Sequence, residues 1–208
     1  MSEYSIPAGP GEAEFTEKRS RFLSHVRMVE SEDEARAFIN EMKKKYYDAR
    51  HNCWCYSIRD GAERYSDDGE PQGSAGIPML EVLRRRGVTN AVCVVTRYFG
   101  GVLLGTGGLL RAYTKSTSDA LDAAGVAVVR RWAETELACS YAQAEKMKQE
   151  SAAAGGILED TEYGSGVTLK VLVPAEEAEA FSARIFDVSA GSVQVRVTGE
   201  SDRAAVIR

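Results

Sequence analysis

A buried strand that leads into a glycine-rich segment and then into a helix is the feature that most restricts how this chain can fold. Val88–Thr96 is mostly apolar and β-branched, which predicts a central strand covered on both faces. Five glycines lie between Gly100 and Gly108, and Leu109–Ala124 then has helical apolar spacing that stops at Gly125. This order predicts an α/β layer with a glycine loop at the end of a strand, where ligand sites are common in such folds.

Further strands and helices are predicted upstream of this unit. Ser31 and Glu34 form a capping box, in which each side chain satisfies a backbone N–H at the start of a helix. The first twelve residues are rich in proline and glycine, which predicts a flexible lead-in. The remaining predicted elements are two strands within Phe15–Val29 broken near Lys18–Ser20, strands at His51–Ile58 and Arg64–Asp67, a helix at Ile77–Arg86 and a strand at Val126–Val129.

The last part of the chain has a compact pattern of its own. Its order is strand, helix, strand, strand, helix, strand, which is the ferredoxin-like arrangement. Ser140 and Gln143 cap the first of these helices, and Gly164–Gly166 predicts a hairpin turn. Arg130–Glu134 is the predicted boundary. We therefore expect an α+β protein with two domains, residues 1–131 and residues 132–208.

Composition excludes several classes of protein. The 208 residues are 44% hydrophobic and 27% charged, which is typical of globular domains. No apolar run approaches the ~20 residues that cross a bilayer, and the N-terminus lacks the features of a signal peptide. Four cysteines without a C-x-x-C pair favour a reduced protein. The prediction is a cytoplasmic protein without a membrane partner.

Charge is distributed unevenly along the chain. Residues 1–131 hold 19 Lys and Arg and 18 Asp and Glu, whereas residues 132–208 hold 7 and 13. Nucleic-acid binding spread over the whole surface is therefore not expected. Any contact with a polyanion must come from a local patch in the first part of the chain.

The glycine loop and the helix after it predict a site for an anion or a phosphate. Glycine lets a ligand approach the backbone closely, and the free N–H groups at a helix start attract anions. Tight turns and close packing are the competing explanation for the glycines. The nucleotide-binding fingerprints fail, because Thr106 and Leu110 stand where a lysine and a third glycine would be required. The predicted anion-binding residues are Arg97, Gly100, Gly101, Gly105, Thr106, Gly107, Gly108, Arg111 and Lys115.

Three carboxylates lie close together in sequence at Asp67, Asp68 and Glu70. They would repel one another without partners. They could bind Mg²⁺ with water, form an acid–base pair, or clamp an arginine such as Arg97. The favoured interpretation is a turn braced by an arginine.

His51, Cys53 and Cys55 alternate along a predicted strand and so share one face. Zinc would need a fourth ligand or an open position, and the remaining histidine, His25, is distant in sequence. Small cysteines buried in a strand explain the pattern better than a metal site. A Cys–His nucleophile is an alternative that no motif marks. No metal ligand or catalytic residue is therefore assigned.

An ordered set of motifs runs across about residues 15–128. The motifs are His51–Cys53, Tyr65–Pro71, Ser74–Gly76 with Pro78 and Leu80, Thr96–Gly101, Leu104–Leu109 and Arg111–Tyr113. This set resembles the IMPACT family, including its bacterial YigZ-type members. Two mild departures are Ser74, where threonine is usual, and Cys55, where alanine is commoner. Through the resemblance His51, Asp67, Asp68, Glu70 and Tyr98 become candidate site residues.

The resemblance implies a fold and a cellular role. It implies a first domain folded like the second domain of a small-subunit ribosomal protein, and a C-terminal domain like a ferredoxin-like domain of elongation factors. It implies a non-catalytic, translation-linked regulator that contacts RNA, the ribosome or a translation factor, with no cofactor. The alternative is an enzyme that acts on a phosphorylated small molecule with Mg²⁺, since some small-molecule kinases share this α/β sandwich.

Overall fold

The computed structural model describes residues 3–206, and the chain divides into two compact units. Tyr4–Val128 forms the body of the first unit and Val129–Arg203 that of the second. Both units combine helices with a β-sheet, which makes this a mixed α+β protein. In the described part of the chain, none of the helices has the length and apolar character that crossing a bilayer requires.

The first unit is a five-stranded sheet with helices on both faces. The strands lie in the order β2-β3-β6-β4-β5, and each neighbouring pair is antiparallel. Its elements are β1 Tyr4–Pro7, β2 Gly11–Glu17, β3 Ser20–Met28, α1 Glu32–Lys45, β4 His51–Ser57, β5 Glu63–Ser66, α2 Gly76–Arg85, β6 Ala91–Tyr98 and α3 Thr106–Ala124.

Strand β6 forms the centre of this unit, as its apolar sequence predicts. Val92 and Val94 face the apolar side of α1, while Cys93 and Val95 face α2 and α3. Successive side chains of a strand point to opposite faces, so one strand supplies both cores. Cys53 and Cys55 belong to the core on the side of α2 and α3. Their pattern is therefore explained by packing, as the sequence favoured.

The second unit has the predicted order of strands and helices. In its sheet β7 pairs with β9 and β9 with β8, and β10 also pairs with β7. Ser140 and Gln143 form the predicted capping box at the start of α4. The elements are β7 Val126–Cys139, α4 Tyr141–Ala153, β8 Ile157–Tyr163, β9 Val167–Pro174, a 3₁₀ turn Ala175–Glu177, α5 Ala178–Val188 and β10 Val195–Val206.

Strand β7 runs without interruption over Val126–Cys139 and includes the predicted boundary at Arg130–Glu134. Val129, Trp132 and Ala133 are buried in this strand. One prediction about the connections is wrong. Helix α3 begins at Thr106, three residues before the predicted start, so two of the loop glycines belong to its first turn.

The predicted flexible lead-in is also wrong for the residues that the structure describes. Strands β1 and β2 occupy much of it, and Ile6 is buried. Met1 and Ser2 lie outside the described residues. Gly11 begins β2 against α3, and a Cβ atom there would lie 2.1 Å from the carbonyl oxygen of Ala120. Proline and glycine here serve close packing, which composition alone could not distinguish from a loop.

The close contact at Gly11 generates a stability prediction. Gly11→Ala is expected to lower the free energy of unfolding by about 1–3 kcal/mol, because the methyl group overlaps backbone atoms of α3. Gly9→Ala is the matched control, since a Cβ atom at Gly9 meets nothing within 4 Å. Urea denaturation of both variants measures the difference, and equal stability of the two would contradict the packing described here.

Candidate functional site

Asp67 organises the loop between β5 and α2. Its Oδ2 accepts a hydrogen bond from the Gly73 amide at 2.8 Å. Its Oδ1 accepts from the amides of Ala75 and Gly76, at 3.0 and 2.9 Å. No side chain at the N-cap position of α2 performs this role. The carboxylate therefore caps the helix from a distance, where a negative charge is favourable.

Asp68 joins three parts of the first unit. Its carboxylate accepts from Lys43 Nζ at 2.8 Å and from the Asn52 amide at 2.7 Å. Its carbonyl oxygen lies 2.8 Å from His51 Nδ1, which donates in this contact. The residue has a φ of 43°, a left-handed conformation that these hydrogen bonds stabilise. His51 thus has an orienting partner at one ring nitrogen.

Glu70 and Arg97 form a buried ion pair. Glu70 Oε1 accepts from Arg97 Nη1 at 2.7 Å and from the Tyr113 hydroxyl at 2.8 Å. The two charged side chains are 3% and 6% exposed. Arg97 Nη2 also donates to Ser20 Oγ at 3.3 Å. The predicted turn braced by an arginine is therefore present. It joins the loop between β5 and α2, here called the acidic loop, to the end of β6.

The three carboxylates point to separate partners, which disfavours a shared Mg²⁺ ion. Among residues 3–206, no group of three or more His, Cys, Asp or Glu side chains could hold a metal ion. The acid–base interpretation of this segment is also unsupported, because each carboxylate is engaged by cationic or backbone donors. The contribution of the segment is structural.

Cys53 lacks the environment of a nucleophile. Its Sγ lies 3.0 Å from the Asp67 carbonyl oxygen and 3.3 Å from the Tyr113 hydroxyl. Burial raises the pKa of the Cys53 and Cys55 thiols far above the ordinary value and that of Cys93 to about 12. A reactive cysteine needs a lowered pKa. The burial of Cys53 and its raised pKa therefore argue against the Cys–His alternative.

The glycines of the loop have different roles. A Cβ atom at Gly100 would lie 2.1 Å from the carbonyl carbon of Arg19, so close packing requires glycine there. Gly105 has a φ of 71°, which favours glycine just before α3. At Gly107 a Cβ atom would meet only Arg111 Nη1, at 3.7 Å. Packing explains Gly100, whereas nothing in the protein's own packing requires glycine at position 107.

A cavity of about 410 Å³, here called the loop cavity, opens at the start of α3. Gly105 has no side chain to cap the helix, so the first amides of α3 have no side-chain acceptor in the described structure. Arg97 also lines this cavity, and its buried Nε has no hydrogen-bond partner among the described residues. The lining residues are Arg50, His51, Gly69, Glu70, Pro71, Arg97, Phe99, Leu103, Leu104, Gly105, Thr106 and Leu109.

A second cavity of about 310 Å³, here called the helix cavity, lies beside the first turns of α3. Leu104 lines both cavities. Lys115 forms an ion pair with Asp119 at 2.7 Å, which reduces the charge that it could offer a ligand. The lining residues are Phe15, Glu17, Lys18, Leu104, Gly108, Arg111, Ala112 and Lys115.

The predicted site residues thus divide into separate groups. Arg97, Gly105 and Thr106 line the loop cavity together with His51 and Glu70, whereas Gly108, Arg111 and Lys115 line the helix cavity. The remaining predicted residues line neither of these two cavities, and they are Asp67, Asp68, Tyr98, Gly100, Gly101 and Gly107.

Tyr98 and Gly101 have local environments of their own. The Tyr98 hydroxyl donates to Asp48 at 2.8 Å, and partial burial together with this carboxylate raises the pKa of Tyr98 to about 12. Gly101 is exposed, with a φ of 81° that favours glycine. Both residues shape the surroundings of the loop.

Of the twelve residues that line the loop cavity, sequence reasoning named five as site residues, and Arg50, Phe99 and Leu103 are among those it missed. Arg50 precedes β4, whose register places His51 opposite Arg97. Pairing of β4 with β6 therefore brings Arg50 to the glycine loop, and only the sheet order could have shown this. Phe99 and Leu103 are 41% and 82% exposed, which is unusual for large apolar side chains.

Two family models match the chain. The Impact N-terminal domain matches residues 18–121, which include both cavities' polar residues except Glu17. A domain of unknown function, DUF1949, matches residues 137–192 in the second unit. The two matches lie in different units of the structure.

Relatives match over most of the chain. IMPACT family member YvyE of Bacillus subtilis is 38% identical over 94% of this chain and 91% of that protein. IMPACT family member YigZ of Escherichia coli is 36% identical over 94% and 98%. A crystal structure described as a hypothetical protein has a TM-score of 0.60 and 34% identity, covering 96% and 98% of the two chains.

A eukaryotic relative matches a shorter stretch. The protein IMPACT homolog of Dictyostelium discoideum is 41% identical over 96 residues, which cover 43% of this chain and 27% of that protein.

The buried ion pair generates a stability prediction. Glu70→Gln is expected to lower the free energy of unfolding by about 3 kcal/mol, because it leaves the Arg97 charge buried without a counter-charge. Glu14→Gln is the control, since it breaks an exposed pair with Arg21 and should change stability little. Urea denaturation measures the free energy of unfolding of both variants. Equal losses in the two would show that burial does not increase the contribution of the Glu70–Arg97 pair to stability.

Thiol chemistry tests the environment of the cysteines. The raised pKa values of Cys53, Cys55 and Cys93 keep these thiols protonated at about pH 8, so iodoacetamide should leave them unmodified in the folded protein. After denaturation in guanidinium all three should react, because solvent returns their pKa values to the ordinary range. Mass spectrometry locates the adducts. Rapid native modification of Cys53 would revive its candidacy as a nucleophile.

Proposed function

The chain belongs to the IMPACT family, and from this premise we propose that it is a non-catalytic, translation-linked regulator that binds RNA through phosphate groups at the start of α3. The observation that supports the proposal most directly is the uncapped first turn of this helix, which opens into the loop cavity beside the buried Arg97.

The start of α3 has the chemistry that phosphate oxygens require. The amides of its first turn point away from the helix without an intrahelical acceptor, and the helix dipole adds a partial positive charge of about half a unit. Gly107 leaves room above the backbone, since a Cβ atom there has almost no neighbours. A phosphate oxygen can therefore approach these amides without displacing a side chain.

Free cations around the loop supply the remaining positive charge. Arg50 lines the loop cavity, and Lys18 and Arg111 line the helix cavity. Within the described structure, none of the three forms an ion pair. The Arg97 charge, in contrast, is already opposed by Glu70, so Arg97 adds little net charge to the site. The anion site should therefore depend on Arg111 more than the sequence suggested.

The fold assignments belong to the same proposal. We assign the first unit to the fold of the second domain of a small-subunit ribosomal protein, and the second to the ferredoxin-like class. The pairing of β10 with β7, of β7 with β9 and of β9 with β8 supports the second assignment. Domain boundaries at 1–131 and 132–208, a cytoplasmic location and a ribosomal or translation-factor partner stay predictions. Eukaryotic relatives named IMPACT support membership of the family.

Salt dependence tests the proposed RNA binding. Fluorescence anisotropy with a labelled single-stranded RNA should give an affinity that falls steeply with salt, with a log–log slope of about −0.7 for each phosphate contact. Arg111→Glu should weaken binding by about tenfold or more, because it reverses the charge of an unpaired cation in the helix cavity.

Arg196→Glu is the matched control, since it makes the same change of charge on an exposed residue of β10. It should bind RNA like the unchanged protein. No binding at micromolar concentrations, or an affinity that does not respond to salt, would refute the proposal.

A further inference from the structure

The loop cavity is built for more than an inorganic anion. Its volume of about 410 Å³ exceeds what a phosphate group fills, and much of its wall is apolar. Pro71, Phe99, Leu103 and Leu109 contribute to this wall beside the polar start of α3. A ligand that uses the whole cavity must join a negative group to a flat or apolar one.

Phe99 is accessible and has the side chain of Arg97 beside its ring. The guanidinium carbon of Arg97 lies 5.5 Å from the centre of the Phe99 ring. Arg97 is itself fixed by Glu70 and Ser20, so the support beneath the ring is buried and ordered. The ring is nevertheless 41% exposed. An aromatic side chain that is already positioned can stack on a base with little further loss of conformational entropy.

A buried polar group marks the same cavity independently of the helix start. Arg97 is 5% exposed, and its Nε has no partner in the part of the chain that the structure describes. An N–H group that lacks an acceptor in the protein itself is costly unless something else supplies one. Arg97 lines the loop cavity, so a ligand whose acceptor atoms enter the cavity approaches this side chain.

Resting on the proposed function, we infer that the ligand of this site is single-stranded nucleic acid, with one base stacked on Phe99. A phosphate oxygen is then bound by the Thr106–Gly108 amides. The strand continues past Leu104, which borders both cavities, so that the next phosphate meets Lys18 and Arg111. Duplexes are excluded, because their paired bases are already stacked and cannot reach Phe99.

Base recognition is tested by changing Phe99 and the probe together. Phe99→Leu keeps an apolar side chain but removes the aromatic face. It should weaken binding of an oligouridylate of about six nucleotides by about tenfold, and leave binding of an abasic oligomer of equal length unchanged. Phe99→Tyr should restore the affinity. Phe186→Leu, at a half-exposed site on α5, is the control and should have no effect.

The outcomes separate this inference from the proposed function. Equal oligouridylate affinity of Phe99→Leu and the unchanged protein, with loss in Arg111→Glu, would leave the phosphate site standing and overturn base stacking. Tighter binding of an RNA duplex than of the single strand would also overturn it. Binding of a phosphoserine peptide without RNA binding would overturn the inference and redirect the phosphate site to a protein partner. Absence of any binding to RNA or phosphate would remove the proposed function as well.

Discussion

The buried ion pair between Glu70 and Arg97 joins the parts of the first unit that surround the loop cavity. Glu70 belongs to the acidic loop before α2, Arg97 to the end of β6, and Tyr113 on α3 binds the same carboxylate oxygen. Burial makes each partner necessary to the other, since either charge alone in this position would be strongly unfavourable. The pair thereby fixes the distance between the acidic loop, the central strand and the helix whose first turn faces the cavity.

The partners of Asp67, Asp68 and Glu70 give the acidic segment a different role from the one that its sequence suggests. Three neighbouring carboxylates suggest a metal or acid–base site, but Asp67 caps α2, Asp68 holds Lys43 and β4, and Glu70 neutralises Arg97. Each of the three negative charges is therefore balanced by a partner within the protein. The free charge beside the glycine loop is then cationic, from Lys18, Arg50 and Arg111, although the whole chain carries a net charge of −5.

Local signals predicted much of the fold. The N-cap at Ser31, the capping box at Ser140 and the turn at Gly164–Gly166 depend on residues within a few positions of one another, and the structure contains all three. The predicted box at Ser31 is only half formed, because the Glu34 side chain accepts from the Glu30 amide and not from the Ser31 amide. Glycine and proline near the N-terminus led to the wrong prediction of a flexible segment. Glycine is required at position 11 because it contacts α3, more than a hundred residues away in sequence. The boundary predicted at Arg130–Glu134 lies close to the division between the two units, which falls between Val128 and Val129 within β7, and it stays a prediction. In the site, residue types indicated Arg97 and the glycines, whereas Arg50 and Phe99 emerged only from the pairing of β4 with β6 and the course of the loop.

In the proposed site, the first-turn amides of α3 bind phosphate oxygens. An amide-resolved NMR titration of the ¹⁵N-labelled protein with a short single-stranded RNA tests this binding directly. Saturable shifts are expected, largest at Thr106, Gly107 and Gly108, and they should weaken as salt is added. RNA binding with these three amides unmoved, and with the shifts confined to the second unit, would contradict the proposed site.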